Sequence, residues 1–313
     1  MKQIIIGTRG SPLALWQAKH IQERLKNELD IDSALKIIKT KGDKILDVPL
    51  AKIGGKGLFT KELEEMLLSK EIDIAVHSLK DVPIQFISDL GLACITKRED
   101  PRDCFVSHIY PSLQSLPHKA KIGTTSLRRS MQLKAIRADF DTLSLRGNVQ
   151  TRLKRLENGD FDAIILATAG LKRLDITESQ IKYISPIPTT TMIPAMGQAA
   201  LGIECKMDHT IAPILRKLQD EPTALCVNAE RKFVEILEGG CQAPIGVHCE
   251  HIEEGRIQIS AMVGFADGSK TLKSSIQGNS QDSIALAIQL AHEMIANGAR
   301  EILAEAIESY RLS

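Results

Sequence analysis

Arg9, Arg128, Arg129, Arg146 and Arg173 recur at or just after one kind of place, the turn where an apolar run hands over to a helix-like run, and Arg152 follows one helical turn after Arg146. The runs ending in these turns are strand-like, and ligands in open α/β sheets bind beyond the carboxyl ends of the strands. Ser11, Lys80, Asp81 and Ser126 lie in the same turns. A helix N-terminus already carries partial positive charge and free N–H groups, so Arg128 and Arg129 in a first turn are locally unfavourable. An anion bound there relieves that cost and collects N–H bonds. Guanidinium forks suit carboxylates in bidentate fashion. The pattern predicts a polyanionic ligand spread over many contacts. The competing account is surface arginine paired with nearby acids such as Asp139 and Glu157.

A second chemical feature is a thiol on a loop. In "EGGCQAPIG", Glu238 to Gly246, two glycines loosen the backbone before Cys241 and Pro244 stiffens it after. Cys94, Cys104, Cys205, Cys226 and Cys249 are expected to be small buried hydrophobes. The six cysteines form no CxxC pair and no tight Cys/His cluster, which argues against structural zinc, and no metal is expected. "IGGKGLFT" lacks the GxxxxGK[ST] phosphate-loop spacing and is expected to form a mobile loop around Lys52 and Lys56. His77 reads as a structural histidine at a strand end, with a direct role as the alternative. Trp16 is expected to face the core from the first helix.

The elements that position these residues alternate. Strands are expected over 2–6, 34–40, 72–78, 90–96, 120–124, 142–146 and 161–168, with helices over 12–27, 58–70, 126–138 and 148–159. That is an α/β pattern. The turn-rich 185–198 breaks the rhythm as a connection between lobes. Helical stretches follow over 212–220 and 223–239. Residues 243–278 then read as three strands turning at Glu254-Gly255 and Asp267-Gly268. A helix over 280–299 and a shorter one close a separate α+β domain.

The chain has 313 residues, 43% hydrophobic and 25% charged, enough for two or three packed domains. Its net charge of +1 gives no global field towards nucleic acid or anionic membranes. No run approaches the roughly 20 apolar residues of a membrane span, and the N-terminus does not read as a signal peptide. A cytoplasmic location is expected, with no nucleic-acid or membrane partner. Nothing indicates an obligate dimer, so a monomer is expected.

Eight ordered segments, "GTRGSPLALWQA", "GGKGLFTKELE", "DIAVHSLKDVP", "GTTSLRR", "LRGNVQTRL", "ILATAGLKRL", "GQAALGIE" and "GGCQAPIG", resemble signature segments of the hydroxymethylbilane synthase (porphobilinogen deaminase) family. The resemblance implies two lobes similar to type II periplasmic binding proteins and a C-terminal α+β domain with a three-stranded antiparallel sheet. It implies domain 1 over 1–97 and 195–216, domain 2 over 98–194, and domain 3 over 217–313. It implies a transferase joining four porphobilinogen molecules head to tail, with release of four ammonia, into linear hydroxymethylbilane. A dipyrromethane cofactor in thioether linkage to Cys241 would prime the chain. Asp81 resembles the catalytic carboxylate. Lys80, Asp81, Ser126, Arg128, Arg129 and Arg146 would hold the cofactor, and Arg9, Ser11, Lys52, Lys56, Arg146, Arg152 and Arg173 the substrate. A solute-binding protein and a transcriptional effector-binding lobe share the two-lobed plan. The Cys241 loop argues against the first, and the lack of a DNA-binding helix-turn-helix against the second.

Overall fold

The computed structural model describes residues 3–40, 60–238 and 243–312. Lys52, Lys56 and Cys241 lie outside the described residues.

The first five-stranded sheet has the order β2-β1-β3-β10-β4, built from β1 (Ile4–Arg9), β2 (Ser33–Ile38), β3 (Ile74–Ser78), β4 (Leu90–Ile95) and β10 (Leu201–Lys206). β1 runs parallel to β2 and β3, while β10 runs antiparallel to β3 and β4. The second sheet repeats this plan in the order β7-β6-β8-β5-β9. Its strands are β5 (Asp103–Ser107), β6 (Lys121–Gly123), β7 (Asp141–Leu143), β8 (Ala163–Ala167) and β9 (Tyr183–Pro186). β6 is parallel to β7 and β8, and β5 is antiparallel to β8 and β9. The antiparallel strand of each lobe begins where the chain has just crossed from the other lobe. This is the type II binding-protein plan. Both faces of each sheet carry an apolar core, which is why the strands read as near-continuous hydrophobic runs.

Helix starts explain how basic side chains reach the strand ends. α1 (Pro12–Leu29) begins at Ser11, whose Oγ accepts from the Ala14 N–H at 3.3 Å, with Pro12 in the first turn. α2 is Lys61–Leu68. Ser126 caps α3 (Leu127–Ile136) by accepting from the Arg129 N–H. Asn148 caps α4 (Val149–Glu157), with 2.9 Å to the Thr151 N–H. Gly147 sits at φ +99 and would bring a Cβ within 2.8 Å of Thr151, so only glycine turns the chain there from Arg146 into α4. α5 (Thr168–Arg173) follows β8 directly.

After a short α6 (Ala212–Leu215), the last domain packs α7 (Glu221–Ile236), α8 (Ser283–Ala296) and α9 (Ala299–Leu312) with an antiparallel sheet of β11 (Ile245–Glu253), β12 (Arg256–Gly264) and β13 (Thr271–Asn279). Alternate residues Ile245, Val247 and Cys249 on β11 and Ile257, Ile259 and Ala261 on β12 enter its core against Phe233 of α7. The final helix is as long as α8, not shorter.

One buried carboxylate ties this domain to both lobe crossings. Glu230 of α7 accepts from Arg98 at 2.8 and 2.7 Å, from the Gly197 N–H at 2.7 Å and from the Cys249 N–H at 2.8 Å. Arg98 follows β4 on the first crossing, and Gly197 precedes β10 on the second. Burial alone would raise the Glu230 carboxyl, yet Arg98 and His248 hold it at about 2. Among the described residues, no helix is long and apolar enough to cross a membrane.

Candidate active site

β3 ends at Ser78 and breaks into a single 3-10 turn, Leu79–Asp81. Leu79 is fully buried and anchors the turn, leaving Lys80 half-buried and Asp81 exposed. Ser78 Oγ accepts from Gln17 of α1 at 2.7 Å, which fixes α1 against this strand end. Asp81 is exposed and lines a cavity of about 100 Å³ together with Arg9, Ser11, Gln17, His77 and Ser78. The cavity lies beyond the carboxyl ends of β1 and β3, where the strand order predicts ligand binding.

A chain of polar contacts runs from Lys80 into the second lobe. Lys80 Nζ donates to Gln198 Oε1 at 3.4 Å. Gln198 Nε2 donates to the Pro101 carbonyl at 2.7 Å and to Asp103 Oδ1 at 3.1 Å. Asp103 opens β5 and is wholly buried. Arg128 donates to it at 2.6 and 3.1 Å, and Arg129 at 3.0 and 2.7 Å. The same guanidinium groups donate to the Ile193 and Ile165 carbonyls, both at 2.7 Å. Arg128 and Arg129 therefore pair with neither Asp139 nor Glu157. Asp139 pairs with Arg137 at 2.7 Å, and the nearby Arg155 pairs with Asp160 at 2.8 Å.

Charge does not balance in this cluster. Burial alone would raise Asp103, but Arg128 and Arg129 hold its carboxyl well below the usual carboxylate range. Lys80 is pulled down to about 8, first by burial and then by Arg129, with Asp81 acting in the opposite sense. Arg152 is also pulled down by burial, Arg129 and Arg146, again opposed by Asp81. Its Nε donates to the Gly147 carbonyl at 2.9 Å. Among the described residues, Asp103 pairs with Arg128 and Arg129, and Asp81 opposes the crowding at Lys80 and Arg152. Crowded, partly desolvated cations of this kind favour an anionic ligand. A carboxylate-rich dipyrromethane fits the charge of this donor set.

Arg173 does not join the cluster. Its Nη2 donates to the Ala199 carbonyl at 2.6 Å, and its guanidinium lies 5.5 Å over the Trp16 ring. Both residues line a separate cavity of about 680 Å³ against the crossing segments. Trp16 is half-buried and stacks on His20 at 5.1 Å, so it lines this cavity instead of facing the core.

Five cysteines are free and buried: Cys94, Cys104, Cys205, Cys226 and Cys249. Burial pushes the Cys94, Cys104 and Cys205 thiols up to about 12. Cys249 is raised further by its contact with Cys226 and by burial. Such thiols are poor nucleophiles at neutral pH. Sequence reasoning missed Asp103, Gln198 and Glu230. Asp103 carries the only available signal, an acid placed directly before the apolar run "CFV".

Together the two lobes and their crossings define a two-lobed α/β protein of the type II binding-protein plan, with cationic side chains at its strand ends and a third domain tied to both crossings. A family model described as porphobilinogen deaminase, dipyromethane cofactor binding domain, matches residues 4–212, and the C-terminal domain model of the same family matches 224–296. The chain is 57% identical over 310 residues to the porphobilinogen deaminase of Helicobacter hepaticus, covering 97% of this chain and 96% of that one. It is 55% identical to that of Helicobacter acinonychis, covering 97% and 98%. Among solved structures it is similar to the periplasmic VFT2 domain of Bordetella pertussis BvgS, at 13% identity and TM-score 0.41, covering 68% of this chain and 86% of that one. The chain belongs to the porphobilinogen deaminase family. It is a transferase with hydroxymethylbilane synthase function and uses a dipyrromethane cofactor.

Proposed function

We propose that this chain divides the family's reaction, the head-to-tail condensation of four porphobilinogen molecules with loss of four ammonia, among three groups of residues. Cys241 carries the dipyrromethane in thioether linkage. When bound, the cofactor supplies the terminal pyrrole on which the chain is extended. Two glycines before Cys241 in the sequence suit a thiol that must carry a bulky group, and the burial of the other five cysteines supports Cys241 as the attachment point.

Lys80, Ser126, Arg128, Arg129 and Arg146 hold the cofactor's carboxylates. Arg9, Ser11 and Arg152 hold those of the incoming substrate, with Lys52 and Lys56 completing the set. Each porphobilinogen brings an acetate and a propionate, so the growing chain presents a row of anions to a row of cations. Arg173 acts from its own cavity, on substrate carboxylates that reach the crossing segments.

Asp81 performs the charge stabilisation. Loss of ammonia from the substrate's aminomethyl group leaves an azafulvenium cation, and a fixed carboxylate at the strand end stabilises the developing charge. The arginines cannot do this, being cations themselves. The observation that carries this account is the excess of crowded cations around Asp81, joined across both lobes through Gln198 and Asp103. The domains are taken as 1–97 with 195–216, 98–194, and 217–313, working as a monomer in the cytoplasm. The test is single-turnover ammonia release by cofactor-loaded Asp81→Asn, which should fall while the cofactor stays attached.

A further inference from the structure

His77 shares the Asp81 cavity yet has no part in the scheme above. It sits at the carboxyl end of β3, 6% exposed, with Nε2 2.9 Å from Glu204 Oε2. Glu204 comes from β10, which pairs Gly202 with His77. It is fully buried, and its second oxygen, Oε1, has no hydrogen-bond partner among the described residues. A histidine needed only for packing is satisfied by a neutral acceptor such as a carbonyl. A buried carboxylate with an idle oxygen is a costly way to achieve the same thing. Its chemical effect is specific. The carboxylate accepts the Nε2 proton and fixes the tautomer, leaving the lone pair on Nδ1.

The reaction calls for such a group. In each cycle the C–N bond of the aminomethyl group breaks and ammonia leaves. The methylene carbon then bonds to the free α-carbon of the terminal pyrrole. The C–H bond at that α-carbon must next break, its electron pair returning to the ring and its proton passing to an acceptor. Arg9 and Arg152 are protonated and cannot serve. Lys80 is held on Gln198 beside Arg129. Asp81 is occupied as the counter-ion of the cation.

We propose that His77, held by Glu204, accepts the α-carbon proton at Nδ1 after each carbon–carbon bond forms and passes it to water through the shared cavity. The charged and titratable groups around the pair are Glu204 from β10, Glu64 from α2, and Arg9 and Asp81 at the cavity. This rests on Asp81 acting as counter-ion, and the two ideas fail differently. Loss of the counter-ion blocks ammonia release, whereas loss of the proton acceptor blocks the step after it.

The test uses His77→Gln whose cofactor, as well as its substrate, derives from porphobilinogen deuterated at its free α-carbon, so that the C–D bond of the terminal pyrrole is the one broken in every cycle including the first. Ammonia release in the first turnover should stay within a few-fold of wild type. Chain extension should fall by at least roughly a hundredfold, with a primary isotope effect larger than the wild type's. Normal extension, or slow extension without the isotope effect, would overturn the proposal. Glu204→Gln provides a second measurement if His77→Gln does not fold. Its neutral amide can either accept from or donate to Nε2, so 15N NMR of the His77 imidazole should show the Nε2–H tautomer lose its dominance, and chain extension should slow with it. A changed tautomer beside unchanged extension would equally sink the idea.

Discussion

Arg98 holds Glu230 through both terminal nitrogens, at 2.8 and 2.7 Å, and so fastens the third domain to the first lobe crossing. The pair is buried, with Arg98 11% and Glu230 0% exposed at the side chain. Removing one member strands the other charge. Glu230→Gln should cost about 3–5 kcal/mol of stability, measured by denaturant unfolding. A loss under about 1 kcal/mol would mean that other contacts hold the hinge.

Asp103 makes Arg128 and Arg129 one unit, so the two should fail alike. Arg128→Leu and Arg129→Leu are expected to yield mostly apo-protein by intact mass. Arg146→Leu and Arg152→Leu are expected to keep the cofactor's mass but stall during extension. Near-normal turnover in all four would remove the cluster from carboxylate binding.

Attachment to Cys241 has its own readout. The purified protein should exceed its sequence mass by two linked pyrrole units, and Cys241→Ser should not. Replacing any of the five buried cysteines by alanine should leave the added mass in place. An active wild type of unmodified mass would exclude the thioether.

Lys80 gives a pH signature. It titrates near 8 in the folded protein against 10.5 for an ordinary lysine, mainly through burial and then Arg129. Between these values the unfolded chain binds more protons, so the Lys80 contribution to stability rises with pH. Below about 8 the charged ammonium is a constant cost. In Cys241→Ser apo-protein, the stability difference between Lys80 and Lys80→Gln should therefore shift in favour of lysine from pH 8 to 10. Bound carboxylates raise the lysine again and should flatten that slope. A slope of the same size in loaded and apo protein would contradict carboxylate binding at Lys80.

Much of the lobe architecture is legible locally, because buried parallel strands and capped helices leave short-range marks. Ser11, Ser126 and Asn148 each stand one residue before a helix and cap it. The antiparallel strands β5, β9 and β10 are not legible in this way. β5 and β10 each follow a crossing between the lobes, β9 leads into the second crossing, and their partners lie far off in sequence, as with Leu201 against Ser78. The same distance hides Asp103, whose arginine partners come 25 and 26 residues later. The placement of charged side chains at strand-to-helix turns can be read from residue type and pattern, as at Arg128 and Asp81. Buried acids such as Asp103, Glu204 and Glu230 resemble surface acids until the fold encloses them. Trp16 errs in the opposite direction, an aromatic on an amphipathic helix that lines a cavity.

Asp81 provides the most direct test of the central claim, that a fixed carboxylate among crowded cations stabilises the azafulvenium cation. The measurement is single-turnover ammonia release on cofactor-loaded Asp81→Asn. If Asp81 only paired with Lys80, the change would cost about 1 kcal/mol or less of stability and leave turnover almost untouched. As counter-ion to the cation, its loss should slow ammonia release by at least roughly a hundredfold, equivalent to about 2.7 kcal/mol. The attached mass should be unchanged, and Asp81→Glu should recover part of the rate. An asparagine variant releasing ammonia within a few-fold of wild type would contradict the account.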